Sequence, residues 1–204
     1  MKRYFVTGIG TEVGKTVVAA VLTEALEADY WKPVQSGDLH NSDTMKVQRL
    51  VSNSRTQFHP EGYRLTQPLS PHASAERDGI TIDPAKIVVP ETANTLVIEG
   101  AGGLLVPLNH TDLLADLIPG FDAKVVLVIR HYLGSINHSL LSIQWLKTNG
   151  VEDACIVWNG TPNPESEAAI LSHSPYPVLG RIAEATDITP EFIQQEASSL
   201  RATL

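Results

Sequence analysis

The chain has 204 residues, of which 43% are apolar and 19% charged, and its formal net charge is -8. That length supports one well-buried core and is short for two, so a single domain over residues 1–204 is expected. The acidic balance argues against nucleic acid or an anionic membrane as the main partner, although it leaves room for a local basic pocket.

Strand and helix patterns alternate along the chain. Strands are expected at "RYFVTG" (3–8), "DYWKPV" (29–34), "TLVIEG" (95–100), "AKVVLVIR" (123–130), "DACIVWN" (153–159) and "PVLGRI" (177–182). Several are apolar at consecutive positions, as in strands covered on both faces. Residues 15–28 place Val18, Val21, Leu22, Ala25 and Leu26 on one helical face. Residues 135–148 repeat that pattern and stop at Asn149-Gly150, and a terminal helix over 189–201 opens with Thr189-Pro190. The stretch 34–94 carries Pro60, Pro68, Pro71, Pro84 and Pro90 and reads as loops with short helices. Strand then helix, repeated, implies right-handed crossovers. The expected fold is α/β, a mainly parallel doubly wound sheet flanked by helices, with ligands bound beyond the carboxyl ends of the strands.

The lone cysteine, Cys155, lies in the apolar run "ACIVW" and reads as a buried, inert thiol in a reducing compartment. There is no signal-peptide pattern and no apolar run long enough to span a bilayer, so a cytoplasmic location without membrane contact is expected.

The stretch "VTGIGTEVGKT" (6–16) sits between a predicted strand and a predicted helix, the context a phosphate loop requires. Gly14 lets backbone approach oxygen atoms, the amides from Lys15 onward point at an anion, and Lys15 adds a charge. Thr16 offers a hydroxyl to Mg²⁺. The usual first glycine position holds Ile9, flanked by Gly8 and Gly10. Glu12 is a carboxylate inside an anion-binding loop: either its side chain turns outward, or it faces a cationic part of the site.

Other unusual residues follow the remaining strands. Lys32, between Trp31 and Pro33, ends the second strand. Asn41 or Ser42 is a helix-cap candidate, which would make Asp43 a first-turn acid. In "LVIEGAGG" (96–103) Glu99 follows three apolar residues and precedes a glycine-rich turn, the place of a Mg²⁺-orienting acid in phosphate-loop proteins. Gly134 and the amides after it form a second anion-binding helix start, where Asn137 and His138 are either ligand contacts or plain first-turn residues. Asn159 ends another strand with an amide able to read a base edge.

Together, "YFVTGIGTEVGKT", "KPVQSG", "NSD", "LSPH", "VIEGAGGLLVPL", "LGSINHSLLS", "WNG" and "PVLG", in this order across nearly the whole chain, resemble the dethiobiotin synthetase family. The resemblance implies a phosphate-loop NTPase-like carboxylase domain, usually a homodimer. It would use ATP and Mg²⁺ to close the ureido ring on 7,8-diaminopelargonic acid with CO₂, through a carbamate and a carbamic-phosphoric anhydride. By resemblance Lys32 and Lys15 are the catalytic lysines, and Thr16, Asp43 and Glu99 hold Mg²⁺. ATP then rests on Glu12, Val13, Gly14, Lys15, Thr16 and Val17, with Gly100, Ala101 and Gly102 beside it. Asn159, Gly160 and Ala183 border the adenine. Thr11 and Ser36 contact the substrate, and Gly134, Ser135, Ile136 and Asn137 take its carboxylate across the dimer interface. One departure is Ala183 in "GRIAEA", where many relatives have proline.

Two rivals share this type of loop. Amide-forming ligases of the cobalamin group add a glutaminase domain with a nucleophilic cysteine, whereas Cys155 is mid-strand here. Partition or septum-positioning switch ATPases, which respond to protein partners, usually carry "KGGxGK", whereas this loop has Gly10-Thr11-Glu12.

Overall fold

The computed structural model describes residues 2–204. From the amino end, β1 (Arg3–Gly8) leads through the glycine-rich loop into α1 (Lys15–Leu26), followed by β2 (Asp29–Trp31), β3 (Val34–Ser36) and α2 (Asp43–Leu50). Next come β4 (Phe58–His59), β5 (Tyr63–Leu65), α3 (Pro71–Arg77) and β6 (Leu96–Glu99). The remainder is α4 (Ile118–Phe121), β7 (Lys124–Arg130), α5 (Ser135–Thr148), β8 (Ala154–Asn159), α6 (Pro164–Leu171), β9 (Val178–Ile182) and α7 (Pro190–Arg201).

The main sheet has seven strands in the order β4-β2-β6-β1-β7-β8-β9. Every pairing is parallel. Its central strands are buried along their length, which matches their uninterrupted apolar runs. Helix α1 packs with α2 and α7, and α5 with α6. This is the doubly wound α/β fold expected from the alternating pattern. Cys155 is fully buried on β8, and burial pushes its thiol up to about 11. Among the described residues no helix is long and apolar enough to cross a membrane.

The structure departs from the sequence reading in two places. The expected strand 29–34 is broken at Lys32-Pro33: β2 stays in the main sheet, while β3 pairs in parallel with β5 in a separate two-stranded sheet. Pro33 has no N–H for the ladder, so the main-sheet pairing cannot run through it. The stretch 34–94 also contains β4 and β5 as well as loops and short helices. Strands of two or three residues are too short to express a period of two.

Register positions the site. Val6 of β1 pairs with Glu99, and Trp31 of β2 pairs with Ile98. The ends of β1, β2 and β6 therefore lie level at one edge, beside the loop that enters α1.

Candidate active site

A cleft of about 610 Å³ opens at that edge, bordered by the glycine-rich loop, Lys32, Ser36, Asp43 and Glu99. Lys32 is only 3% exposed, and its ammonium lies 2.9 Å from Asp43 Oδ2 and 3.0 Å from Glu99 Oε1. It also donates to the Gly100 carbonyl at 3.3 Å. These partners use all three donors of the ammonium. Burial alone would lower the Lys32 pKa, but Glu99 and Asp43 outweigh it and raise it, so the side chain stays charged.

Glu99 is 1% exposed and is not the solvated acid its place past the strand would allow. Its Oε1 accepts from Thr16 Oγ1 at 2.8 Å as well as from Lys32, and its Oε2 accepts from Tyr30 at 2.7 Å. Burial and the Glu99 charge raise the Tyr30 pKa, which keeps the phenol a proton donor. Asp43 is both a first-turn acid and a site residue. Ser42 caps α2 by accepting from the Met45 amide and donates to Glu61 at 3.0 Å, while the Gln35 side chain accepts from the Asp43 amide at 3.1 Å. Lys46, one turn along α2, holds Asp43 Oδ1 at 3.2 Å and Asp38 Oδ2 at 2.9 Å. Although burial raises the Asp43 pKa, Lys32 and Lys46 more than reverse the shift and lower it.

In the loop, Lys15 is buried and donates to the Gly10 carbonyl at 2.9 Å. Burial, then repulsion from Lys32, lowers its pKa to about 8. Gly14 has φ +90°, and a Cβ there would collide with the Asn159 amide. Asn159 in turn donates to the Val13 carbonyl at 2.9 Å, tying the end of β8 to the loop. Glu12 adopts φ +59°, and its exposed side chain borders the cleft, open to solvent and ligand alike.

Thr16, Asp43 and Glu99 present a hydroxyl and two carboxylates, the hard oxygen donors Mg²⁺ takes. Thr16 and the Lys32 ammonium share one Glu99 oxygen, and Lys32 bridges the two acids, so the acids already converge on a cation. Among the described residues no cluster of three or more His, Cys, Asp or Glu forms a metal cage. Mg²⁺ commonly takes one or two carboxylates and fills its shell with phosphate and water, and Asp43 and Glu99 match that donor number.

Thr11 and Ser36 border the same cleft, and Ser36 Oγ is buried without a hydrogen-bond partner. Gly134, Ser135, Ile136 and Asn137 do not reach it within one chain; they line a separate cavity of about 790 Å³. Ala183 uses an N–H that proline lacks, donating to Glu196 Oε2 at 3.0 Å. Sequence reasoning missed Tyr30, Gln35 and Lys46. Only Lys46 carried a signal, its i+3 spacing from Asp43 on a predicted helix.

A sequence-family model described as an AAA domain matches residues 2–192. The chain is 52% identical over 203 residues to the ATP-dependent dethiobiotin synthetase BioD of Christiangramia forsetii, covering 100% of this chain and 98% of that protein. It is 50% identical over 201 residues to the protein of the same name from Cytophaga hutchinsonii, covering 98% and 97%. Among solved structures, a ParA family ATPase from Chlorobium tepidum TLS superposes with TM-score 0.60 at 14% identity, over 98% of this chain and 91% of that one. That last likeness is one of fold alone. With half or more of its residues identical to those relatives over nearly its full length, the chain belongs to the ATP-dependent dethiobiotin synthetase family.

Proposed function

We propose that this chain is an ATP-dependent cyclo-ligase of biotin biosynthesis that closes the ureido ring of dethiobiotin on 7,8-diaminopelargonic acid with CO₂. The observation that carries the reading is the pair of buried lysines, Lys15 and Lys32, at one cleft beside the phosphate loop. The chemistry must hold two anions together, a carbamate and a triphosphate, and two cations in a poorly solvated cleft do so.

One substrate amine adds to CO₂ and loses a proton, giving a carbamate. A carbamate oxygen attacks the γ-phosphorus, the bond to ADP breaks, and a carbamic-phosphoric anhydride forms. The second amine then attacks the carbonyl carbon, phosphate leaves, and a proton is lost as the ring closes. Lys15 holds the terminal phosphates, and Lys32 would turn a donor from Asp43 or Glu99 to the carbamate, once those acids face a metal ion, and hold it in line for attack. Thr16, Asp43 and Glu99 would hold Mg²⁺, which when bound neutralises phosphate charge. Ser36 and Thr11 orient the diamine, the orphaned Ser36 hydroxyl being available to it. Glu12 faces an amine.

Gly134 to Asn137 take the substrate carboxylate in a homodimer, with the exposed Leu133 and Ile136 beside their cavity as its apolar contact. A cytoplasmic location fits the reduced Cys155. The rival, a partner-regulated switch ATPase, has only the fold in its favour.

Phosphate release from MgATP and bicarbonate, with and without the diamine, tests this reading beside Lys32→Ala. Diamine-dependent release that collapses in the variant is expected. Release indifferent to the diamine would reject the ligase and favour the switch. Unchanged diamine affinity in Glu12→Gln would remove Glu12 from the amine site.

A further inference from the structure

We propose that Arg130 and Glu184 read the edge of the nucleotide base and set this chain's preference for a 6-amino over a 6-oxo purine. The inference rests on the reading that Asn159 and Gly160 border the base.

A polar cavity of about 210 Å³ opens where β7 and β8 end, lined by Arg130, His131, Asn159, Thr161, Asn163 and Glu184 among others. It is distinct from the lysine cleft, yet one side chain joins it to the phosphate loop, since Asn159 bonds the Val13 carbonyl. A nucleotide with its phosphates on that loop can therefore place its base here, at the strand ends where such folds bind ligands.

Arg130 and Glu184 form an ion pair at 2.7 Å across this cavity, with side chains 42% and 47% exposed. Half-exposed pairs are weakly held, so a ligand can open this one. The pair lies directly on the turn after Asn159: a Cβ on Gly160 would come within 2.5 Å of Glu184 Oε2 and 4.0 Å of Arg130 Cζ. Gly160 also has φ +94°, a left-handed conformation that suits glycine. The other nearby guanidinium, Arg181, is committed to the Gly160 carbonyl and to Glu167. Arg130, paired with the half-exposed Glu184, is the more readily opened of the two.

An ionised carboxylate only accepts and a guanidinium only donates. Side by side they match an edge that sets an amino donor beside a ring-nitrogen acceptor, as adenine does. A 6-oxo purine in the same pose turns its carbonyl to Glu184 and its ring N–H to Arg130, and neither group is paired. The apolar pocket beside Thr16 and Val17 carries Lys46 and Arg49 but no side-chain carboxylate or amide to accept from an amino group. Sites built on hydrogen bonds reject mispaired analogues far more strongly than apolar pockets do.

The test measures binding of MgATP, MgITP and inorganic tripolyphosphate to the full chain and to Glu184→Gln and Arg130→Met. The wild type should bind ATP about tenfold or more tighter than ITP. Glu184→Gln, whose amide can turn its N–H to the carbonyl, should narrow that ratio about tenfold. Arg130→Met should weaken ATP several-fold. Tripolyphosphate affinity should hold in both variants, which also reports an intact loop. Equal wild-type affinity for ATP and ITP, or an unchanged ratio in both variants with ATP still bound, overturns the proposal. A wild type that binds tripolyphosphate but not ATP overturns the base site itself, and one that binds neither overturns the nucleotide reading beneath it.

Discussion

The Lys32 ammonium and the Glu99 carboxylate meet at 3.0 Å, 67 residues apart in sequence, with both side chains almost wholly buried. Neither charge has bulk water to solvate it, so each depends on the other and on Asp43, Thr16 and Tyr30. The site that would bind anions is therefore braced internally before any ligand arrives.

Glu99→Gln leaves the Lys32 ammonium buried with Asp43 as its only acid. Breaking a buried pair from one side costs about 3–5 kcal/mol, so the urea midpoint should fall sharply. Adding Lys32→Met to that variant should restore part of the loss. A single-variant loss no larger than at a surface site would mean that Lys32 is solvated.

Gly14 and Asn159 constrain each other. Gly14→Ala adds a Cβ where the Asn159 amide sits and forces a non-glycine residue to φ +90°, so the loop must shift. Nucleotide binding should drop about tenfold or more, a displaced loop losing its contacts. In the ligand-free chain Asn159→Ala frees the Val13 carbonyl and should cost about 1–2 kcal/mol in thermal melts. The double variant should bind inorganic tripolyphosphate, which has no base to contact Asn159, better than Gly14→Ala alone; if it binds no better, φ strain rather than the collision is the cause.

Asp29 supplies a pH-dependent share of stability. Burial pushes its pKa up, but hydrogen bonds from Thr92 at 2.6 Å, the Gln57 amide at 3.0 Å and Asn94 at 3.1 Å, with His59 beside it, bring it below the ordinary value. A depressed folded pKa stabilises fully above the unfolded value and is lost as pH falls through the folded one. Asp29→Asn should thus lower the urea midpoint near neutral pH and flatten its fall in acid. Parallel wild-type and variant curves through the acid range would assign that limb to other groups, Glu24 first among them.

Ala183→Pro removes the N–H that Glu196, only 8% exposed, accepts from. The expected loss is about 1–3 kcal/mol, read as a lower melting temperature. An unchanged melting temperature would show that Glu196 finds another donor.

The phosphate loop and Glu99 were legible in the sequence because each is a short local pattern: strand, glycine turn and helix start, or an acid closing an apolar run. Ser42 and Asp43 were half legible, since the cap lies within three residues but the partner Lys32 does not. Tyr30 and Gln35 were not legible at all. A buried tyrosine in a strand ordinarily reads as core, and only the position of Glu99 turns its hydroxyl into a site contact.

The sequence by itself determined the α/β class, the principal strands and the phosphate loop, because backbone preference and apolar period act over windows of about ten residues. Only the tertiary structure decided which charges meet. The order β2-β6-β1 and the pairings Trp31 with Ile98 and Val6 with Glu99 bring Lys32, Glu99 and Thr16 to one edge. The break at Pro33 lets β3 leave the main sheet as Lys32 ends its strand. Such meetings depend on strand order and register, which pair residues dozens of positions apart, and no local window contains both partners.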